Sequence, residues 1–182
     1  MLFVILLAAQ SAVSARAETS CLARVADAVA AVRPAFPALD GLNLVLEPYE
    51  GDDDFYRAVP RDAWKAPRER VYVVMVNSKA CADAPPAEAE RAILAHELAH
   101  LERYAAMSRL ELIGLGWEYW RRPEGAGVEA FEKHADRRAV AAGKAAGLAA
   151  YREWLYAKLA PERAAVKRRL YLTPAELLPS PR

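Results

Sequence analysis

The sequence predicts an α+β fold that is mostly α-helical, with one small sheet of two or three strands. Apolar residues recur at helical spacing through most of the second half of the chain. Only two short stretches, Leu42–Leu46 and Val71–Val76, have the composition of strands. The 182 residues are enough for one domain with a hydrophobic core, and no internal repeat or low-complexity linker divides them. One mostly helical domain is therefore expected.

The overall composition is that of an ordinary soluble domain and argues against two classes of function. Hydrophobic residues make up 54% of the chain and charged residues 27%, as in folded soluble proteins. The 25 basic and 24 acidic residues leave a net charge of +1, so no excess of positive charge favours nucleic acid as a partner. No glycine-rich phosphate-binding loop is present, so nucleotide chemistry is not expected either.

Residues 1–17 have the pattern of a secretory signal peptide. The apolar run Leu2–Ala9 is too short to span a bilayer, and Ala15-Arg16-Ala17 has the small residues of a cleavage site. The region before the apolar run lacks Lys and Arg, so a retained weak anchor and a buried amino-terminal helix are the alternatives. We expect residues 18–182 to form the mature domain, periplasmic or secreted, with no membrane span.

Two cysteines, Cys21 and Cys81, follow the predicted signal peptide. Export to an oxidising compartment would favour a disulfide between them. Two unpaired thiols are the alternative, because two cysteines alone are weak support for a bridge. A bridge would join the start of the mature chain to the loop before the long helix described below.

The first third of the chain predicts a helix, a strand and an acidic loop. The stretch Cys21–Val32 is rich in Ala with apolar residues at helical spacing, and Pro34 and Pro37 end the helix. The alternation and apolar run of Leu42–Leu46 predict a strand. Pro48–Asp54 is acidic and is expected to form a solvated loop.

A stronger strand follows a polar segment. Arg61–Arg70 contains proline and is expected to be a loop, whereas Val71–Val76 is β-branched and aromatic. These two predicted strands indicate a small sheet, and further short edge strands stay open.

Two helices are then predicted before a clear break in the chain. Pro85 and Pro86 precede a long helix over Ala87–Ala106, and a second helix covers Arg109–Trp120. Pro123–Gly127 ends this region.

The remaining chain is also predicted to be helical. Val128–Ala142 is followed by Gly143, and Ala145–Lys158 is ended by Pro161. Thr173–Glu176 is a capping box that predicts the start of a final short helix.

The long helix Ala87–Ala106 contains the motif His96-Glu97-Leu98-Ala99-His100. Residues four apart on a helix lie on one face about one turn apart, so both imidazoles can bind one Zn²⁺. Glu97, next to the first His, can reach a water at that ion and act as a general base. Because this pattern also occurs by chance, a third ligand is needed to support a catalytic site.

A later helix supplies the third ligand. In metzincins the third ligand is a His that follows a Gly after the second His of the motif. Arg103 and Ala106 occupy those two positions here, so this chain does not have the metzincin ligand set. The helix Val128–Ala142 offers Glu132, with Asp136 four residues later on the same face. Glu132 can bind the ion, and Asp136 can accept a hydrogen bond from the other nitrogen of a ligand His.

Two neighbouring residues are competing candidates for the third ligand. Glu129 is the alternative carboxylate on the same helix. His134 lies off the face that carries Glu132, so we expect it at the surface and as a weaker candidate. Without the His pair, Glu132 and Asp136 would be read as a solvated helix face.

Together these motifs resemble the gluzincin metallopeptidases, in which His-Glu-x-x-His is followed by Glu-x-x-x-Asp on a later helix. The run Glu132–Arg137 is similar to the Glu-x-x-Ala-Asp-Arg pattern of the CAAX-prenyl-protease and heat-shock-protease-X-like family. The strand Val71–Val76 and Asn77 before the His-bearing helix also resemble that family's layout. The resemblance covers about Val71–Ala142.

The resemblance implies a zincin-like helical domain with the small sheet beside the His-bearing helix. It implies one Zn²⁺ bound by His96, His100 and Glu132. It further implies that Glu97 is the general base, that Asp136 orients a ligand and that the reaction is peptide-bond hydrolysis.

The chain departs from the family in two ways. Its membrane-embedded members have several spanning helices, which this chain lacks after residue 17, so it resembles the soluble, exported members. Many gluzincins use a further His to stabilise the oxyanion, and no His follows His134. Tyr171 or a nearby Arg is the candidate for that role.

The expected function is that of an exported zinc metalloendopeptidase acting on a peptide or protein. Glu97 would take a proton from the attacking water and return it to the leaving amine. If Val71–Val76 is an edge strand beside the cleft, it could bind an extended peptide by strand addition. A non-catalytic zinc-binding or chaperone-like module is the alternative, and Glu97 favours the enzyme because a structural zinc needs no base.

The aromatic and basic residues of the second half are interpreted as structural and not as parts of a binding site. Five aromatic residues at helical spacing are expected in the core rather than in a substrate site: Trp117, Tyr119, Trp120, Tyr151 and Trp154. The clusters Arg121-Arg122 and Lys167–Arg169 are interpreted as solvated helix ends in preference to contacts with acidic lipid headgroups.

Overall fold

The computed structural model describes residues 19–51 and 54–178 and has the mostly helical α+β fold that the sequence predicts. The predicted signal peptide, residues 1–17, lies outside these residues. The strands are β1 (Asn43–Tyr49), β2 (Tyr56–Arg61) and β3 (Val71–Asn77). The helices are α1 (19–32), α2 (Ser78–Ala82), α3 (Ala87–Ala106), α4 (Arg109–Arg121), α5 (Ala126–Ala141), α6 (Ala145–Tyr156), α7 (Pro161–Leu170) and α8 (Pro174–Leu177). Within the described part of the chain, no helix has the length and apolar character needed to cross a membrane.

The three strands form a mixed sheet with β3 in the centre. β1 pairs with β3 in parallel and β2 pairs with it antiparallel. β3 corresponds to the predicted strand Val71–Val76, and its central position explains its nearly continuous apolar sequence. β1 is longer than the predicted Leu42–Leu46 because Pro48 and Tyr49 continue the pairing with the end of β3.

The central position of β3 contradicts its predicted use as an edge for an added peptide strand. Both of its sides are already paired, so it has no free backbone groups to offer. β2 is an edge strand instead, and the sequence did not predict it because Arg57, Pro60 and Arg61 interrupt its apolar pattern. Proline lacks an N–H group and is tolerated at a sheet edge.

α3 has the bounds predicted from the sequence and is buried along most of its length. Its first turn follows Pro86, and one carbonyl in its last turn and one just after it accept hydrogen bonds from Arg70, a buried residue directly before β3. Arg70 Nη1 donates to the carbonyls of Tyr104 (3.1 Å) and Met107 (2.8 Å). Because its last turn is held by Arg70 and its middle is buried, α3 is a firm support for the side chains at its centre.

α6 packs very closely against α3, and a glycine makes this approach feasible. A Cβ on Gly147 would lie 2.5 Å from the carbonyl oxygen of Glu88 and 2.9 Å from Cβ of Ala92. The preceding helix α5 ends before Gly143, whose φ of +76° is a left-handed conformation that suits glycine, as the sequence predicts. α5 and α6 both pack against α3.

α4 has a different packing from the one predicted. It begins at a capping box formed by Ser108 and Glu111. Trp117 and Trp120 are 55% and 73% exposed, so their prediction as core residues is wrong. Leu112 is the buried side chain of this helix, which therefore packs through another face.

The other three aromatic residues are less exposed. Tyr151 is buried, as predicted, whereas Tyr119 and Trp154 are half-buried. Trp154 contacts Phe55 edge-on, with ring centroids 4.7 Å apart.

Two further helices were not predicted. α2 is a single short helix that Asn77 caps by accepting a hydrogen bond from the backbone of Lys79 (3.0 Å). α7 is rich in charged residues and buries only Ala164 and Leu170, so its apolar periodicity is weak. The predicted capping box at the start of α8 is confirmed.

Cys21 and Cys81 form a disulfide, with their Cα atoms 5.3 Å apart, so the bridge is the one of the two alternatives left open by the sequence that the structure has. The bridge joins α1 to α2. Beside it Arg24 forms an ion pair with the buried Glu90 of α3, and the hydroxyl of Tyr56 donates to the same carboxylate (2.5 Å). These contacts fix α1, β2 and α3 to one another.

Candidate metal centre

Three buried side chains from two helices meet at the centre of the domain. α3 provides His96 and His100, and α5 provides Glu132. Nε2 of His96 and Nε2 of His100 are 3.0 Å apart, and Oε2 of Glu132 lies 3.2 Å and 3.0 Å from them. Three atoms bound tetrahedrally to one ion at about 2.0–2.1 Å would be about 3.3 Å apart. The triangle of nitrogen and oxygen atoms could therefore hold a metal ion.

The environment of Glu132 keeps its carboxylate negatively charged. Burial opposes ionisation, but His100 and His96 outweigh it and hold the pKa of Glu132 well below its usual range. A divalent cation requires this ionised carboxylate together with neutral imidazoles, so an ion must displace any proton that Nε2 of His96 holds.

Asp136 lies where the sequence predicts, one turn beyond Glu132, and orients His96. Its Oδ1 accepts hydrogen bonds from Nδ1 of His96 (2.8 Å) and from Nη2 of Arg152 (2.7 Å). Its Oδ2 accepts a bond from the backbone N–H of Leu172 (2.7 Å). When the neutral ring of His96 donates from Nδ1, its Nε2 has a free lone pair for an ion.

The ionisation of Asp136 and His96 follows from their contact. Burial disfavours the charged form of Asp136, but Arg152 and His96 outweigh it and lower its pKa to about 2. Burial also opposes the charged form of His96, yet Asp136 raises the pKa of its imidazole to about 9. The pair is thus strongly polarised towards a carboxylate that accepts the His96 proton.

His100 is positioned by aromatic stacking. Its ring is nearly parallel to that of Phe131, with centroids 4.8 Å apart, and Tyr104 lies on the same stack at 6.1 Å. Its Nδ1 is buried and has no hydrogen-bond partner among the described residues. His100 therefore depends on its Nε2 for its polar interaction at the centre.

Glu97 points into the cleft beside the three ligand candidates. Together with His96 it lines two cavities that border the centre. Burial raises the pKa of Glu97 above its ordinary value, although the neighbouring His96 and His100 oppose that effect. A raised pKa brings the carboxylate closer to the range in which a general base works near neutral pH.

Tyr171 also lies at the site. Its ring centroid is 5.7 Å from that of His96, and the guanidinium of Arg152 lies over its ring at 4.1 Å. Burial and the nearby Glu132 raise the pKa of the Tyr171 hydroxyl well above 10, so it stays protonated and can donate a hydrogen bond.

Two site residues were missed by the sequence analysis. The hydroxyl of Tyr119 donates to Oε1 of Glu132, which leaves Oε2 to face the two imidazoles. Nothing in the sequence signals this contact, because it depends on how α4 packs against α5. The sequence does contain a hint of the role of Arg152, because an arginine within the apolar face of α6 must find a buried partner.

The two competing ligand candidates lie away from the centre. Glu129 forms an ion pair with Lys133 (2.9 Å) on the same helix. His134 is exposed, as predicted. In residues 19–51 and 54–178 the cluster at the centre contains no fourth His, Cys, Asp or Glu.

A cleft of about 750 Å³ opens onto the centre. β2 forms one wall, the inner face of α4 another and α7 a third, and both apolar and charged side chains line it. Its lining includes Ala58, Val59, Leu112, Leu115, Arg163 and Lys167. The cleft is large enough to admit a segment of polypeptide.

Comparison with family models, with curated proteins and with solved structures finds no match for this chain. The cluster of His96, His100 and Glu132 does not by itself identify a gluzincin, so membership of that class stays a prediction from two motifs.

Proposed function

We propose that this protein is an exported zinc metallopeptidase of the gluzincin type, with its ion at His96, His100 and Glu132. The single observation that carries the proposal is the buried triangle of two imidazole nitrogens and one carboxylate oxygen at the base of an open cleft. Three protein ligands with a free fourth position are typical of catalytic zinc, whereas structural zinc is enclosed by four.

The donor set favours zinc over other common ions. Ca²⁺ and Mg²⁺ prefer oxygen ligands, so two imidazoles argue against both. Iron(II) also binds two His and one carboxylate. Glu97, buried beside the ligands with a raised pKa, favours hydrolysis, because activation of water needs a base in that position.

In this proposal the residues of the site have distinct roles during hydrolysis. A bound Zn²⁺ supplies Lewis-acid activation of water and of the substrate carbonyl. Glu97 accepts the proton of the water that attacks the carbonyl carbon, and it returns this proton to the amine nitrogen as the C–N bond breaks. The hydroxyl of Tyr171 donates a hydrogen bond to the oxyanion.

Other residues act by holding these groups in place. Asp136, fixed by Arg152, sets the orientation and tautomer of His96. Tyr119 holds the carboxylate of Glu132 so that one oxygen faces the ion.

The cleft supports a peptide as the substrate. β2 is a sheet edge that lines the cleft, so an extended peptide can pair with its outer side by strand addition. Pro60 provides no N–H, so an added strand finds no backbone donor at that position. Apolar side chains of α4 and α7 favour apolar substrate side chains near the scissile bond.

The disulfide supports the proposed export. Disulfides persist in oxidising compartments such as the periplasm or the extracellular space and are rare in the cytosol. Cys21 follows closely after residues 1–17, so the bridge belongs to the proposed mature chain.

The test combines metal analysis with cleavage of a peptide library. Wild-type protein is expected to contain one zinc ion per chain, and Glu97→Gln should retain that zinc while losing about 10²–10⁴-fold in activity. Glu129→Gln, the same change on the outer side of α5, serves as the matched control and should keep full activity. Undiminished cleavage by Glu97→Gln would exclude the mechanism, and iron in place of zinc would exclude the metal assignment.

A further inference from the structure

The outer face of α4 has an apolar stripe exposed to solvent. We define the stripe by Leu110, Ile113, Trp117 and Trp120, which are spaced three, four and three residues apart and so lie along one side of the helix. Their exposed fractions are 81%, 63%, 55% and 73%. Single exposed apolar residues are common, but a continuous stripe of four with two tryptophans indicates a surface that binds something.

Folding of the domain does not account for this stripe. α4 packs inward through other residues, of which Leu112 is buried and Leu115 and Tyr119 line the cleft. The helix is thus apolar on two sides, and only the inner side contributes to the core.

The charged residues that border the stripe are positive. In an α-helix, Arg109 lies along one edge of the stripe and Arg121 along the other, and both are exposed. The guanidinium of Arg121 lies 5.7 Å from the ring centroid of Trp117. The acidic residues of α4 are elsewhere, since Glu111 completes the amino-terminal cap and Glu118 lies against Gly127.

We propose that the stripe docks the protein onto an anionic membrane surface, with α4 lying in the plane of the lipid headgroups. Tryptophan and arginine suit this position because indole rings favour the membrane interface and arginine can reach phosphate while its stem stays in apolar surroundings. A helix with an apolar face flanked by basic residues binds such a surface through burial and charge attraction together.

A second copy of the chain fits this surface less well. The same face of α4 in a second copy carries the same two arginines and no acidic residue, so it offers them no opposite charge. Anionic lipid instead complements both arginines.

Docking in this way would bring the cleft close to the membrane, because the inner face of the same helix lines it. The inference does not rest on the proposed zinc chemistry, and its test requires neither metal nor activity.

The test measures binding of the full chain to vesicles of phosphatidylcholine mixed with phosphatidylglycerol, and to vesicles of phosphatidylcholine alone. Wild-type protein should sediment with the anionic vesicles, and binding should weaken with added salt. Replacing both tryptophans (Trp117→Gln with Trp120→Gln) should reduce binding at least about tenfold. Arg121→Gln should reduce it about fivefold, as expected for one arginine at an anionic surface.

Leu178→Gln removes a side chain that is 50% exposed on another part of the domain and serves as the matched control, with binding expected to equal that of wild type. All variants carry the same amino-terminal residues, so a difference in vesicle binding between the α4 variants and wild type comes from the substituted side chains of α4. Equal binding by wild type and the tryptophan variant would overturn the proposal. A dimer in sedimentation velocity that the tryptophan substitutions dissociate, without any effect on vesicle binding, would overturn it as well.

Discussion

His96 is held through both of its ring nitrogens, and this arrangement organises the whole site. Nδ1 donates to Asp136, which is itself fixed by Arg152 and by a backbone N–H, while Nε2 faces His100 and Glu132. Ligands that are already in place need little rearrangement when an ion binds, which favours affinity. Glu132 receives comparable support from Tyr119 on its outer oxygen.

The hydroxyl of Tyr119 should contribute to metal affinity. In Tyr119→Phe the ring and its packing are retained but the hydrogen bond to Glu132 is lost, so we expect zinc affinity to fall roughly 10–100-fold. Competition with a chelator of known affinity measures this change. Tyr104→Phe, a change in the aromatic stack beside His100, is the control and should bind zinc normally. Unchanged affinity in Tyr119→Phe would show that the hydrogen bond has no such role.

Asp136 should make the metal-free protein sensitive to acid. Its pKa is about 2 in the folded protein and 3.8 ordinarily, so its stabilising effect is complete above pH 3.8 and is lost as the pH falls through 2. This difference corresponds to about 2 kcal/mol in the free energy of unfolding. Denaturant titrations between pH 3.8 and pH 2 should show the free energy of unfolding falling as the pH is lowered. In Asp136→Asn this fall should be smaller by about 2 kcal/mol. An equal fall in the free energy of unfolding in wild type and Asp136→Asn would contradict the lowered pKa of Asp136.

Some of these site residues can be predicted from the sequence and others cannot, and the difference has a physical reason. The spacing of His96 and His100, and that of Glu132 and Asp136, is set by one turn of a helix and can be read from the sequence. The contact of Tyr119 with Glu132 joins two helices through space. Local periodicity does not determine how they cross, so this contact could not be foreseen.

At the scale of elements, α4 illustrates a limit of hydrophobic periodicity. Its apolar residues recur at helical spacing, which correctly predicts a helix, but they occupy two faces, and the pattern does not say which face is buried. β2 was missed because Pro60 and two arginines break its alternation. β3 was identified correctly because a strand paired on both sides is almost uniformly apolar.

The contact between α3 and α6 depends on Gly147. A methyl group there would meet a backbone carbonyl at 2.5 Å, so Gly147→Ala should destabilise the protein by about 1–3 kcal/mol, despite the higher helix propensity of Ala. Gly114→Ala in α4 is the matched control, because nothing lies within 4 Å of its added Cβ, and it should stabilise by about 0.5–1 kcal/mol. Urea denaturation of both variants measures these changes. Equal stability of Gly147→Ala and wild type would mean that the helices can separate at no cost.

At the scale of the whole molecule, a rigid frame surrounds a cleft whose outer wall is also the proposed membrane-docking helix. The disulfide and the Arg24–Glu90 pair fix α1 to the middle of the domain, and β2 and α4 enclose the cleft. An exported peptidase that docks through α4 would act on polypeptides at a membrane surface. The proposed docking is independent of the metal centre, whereas the proposed peptidase activity depends on it.

The most direct test of that centre is zinc-edge X-ray absorption of the purified protein, together with its zinc content. We expect one zinc ion per chain, coordinated by two imidazole nitrogens, one carboxylate oxygen and one oxygen from water, at about 2.0–2.2 Å. In Glu132→Gln the carboxylate contribution should be lost and the zinc content should fall. Protein without stoichiometric zinc, or zinc enclosed by four protein ligands, would contradict the assignment of a catalytic centre at His96, His100 and Glu132.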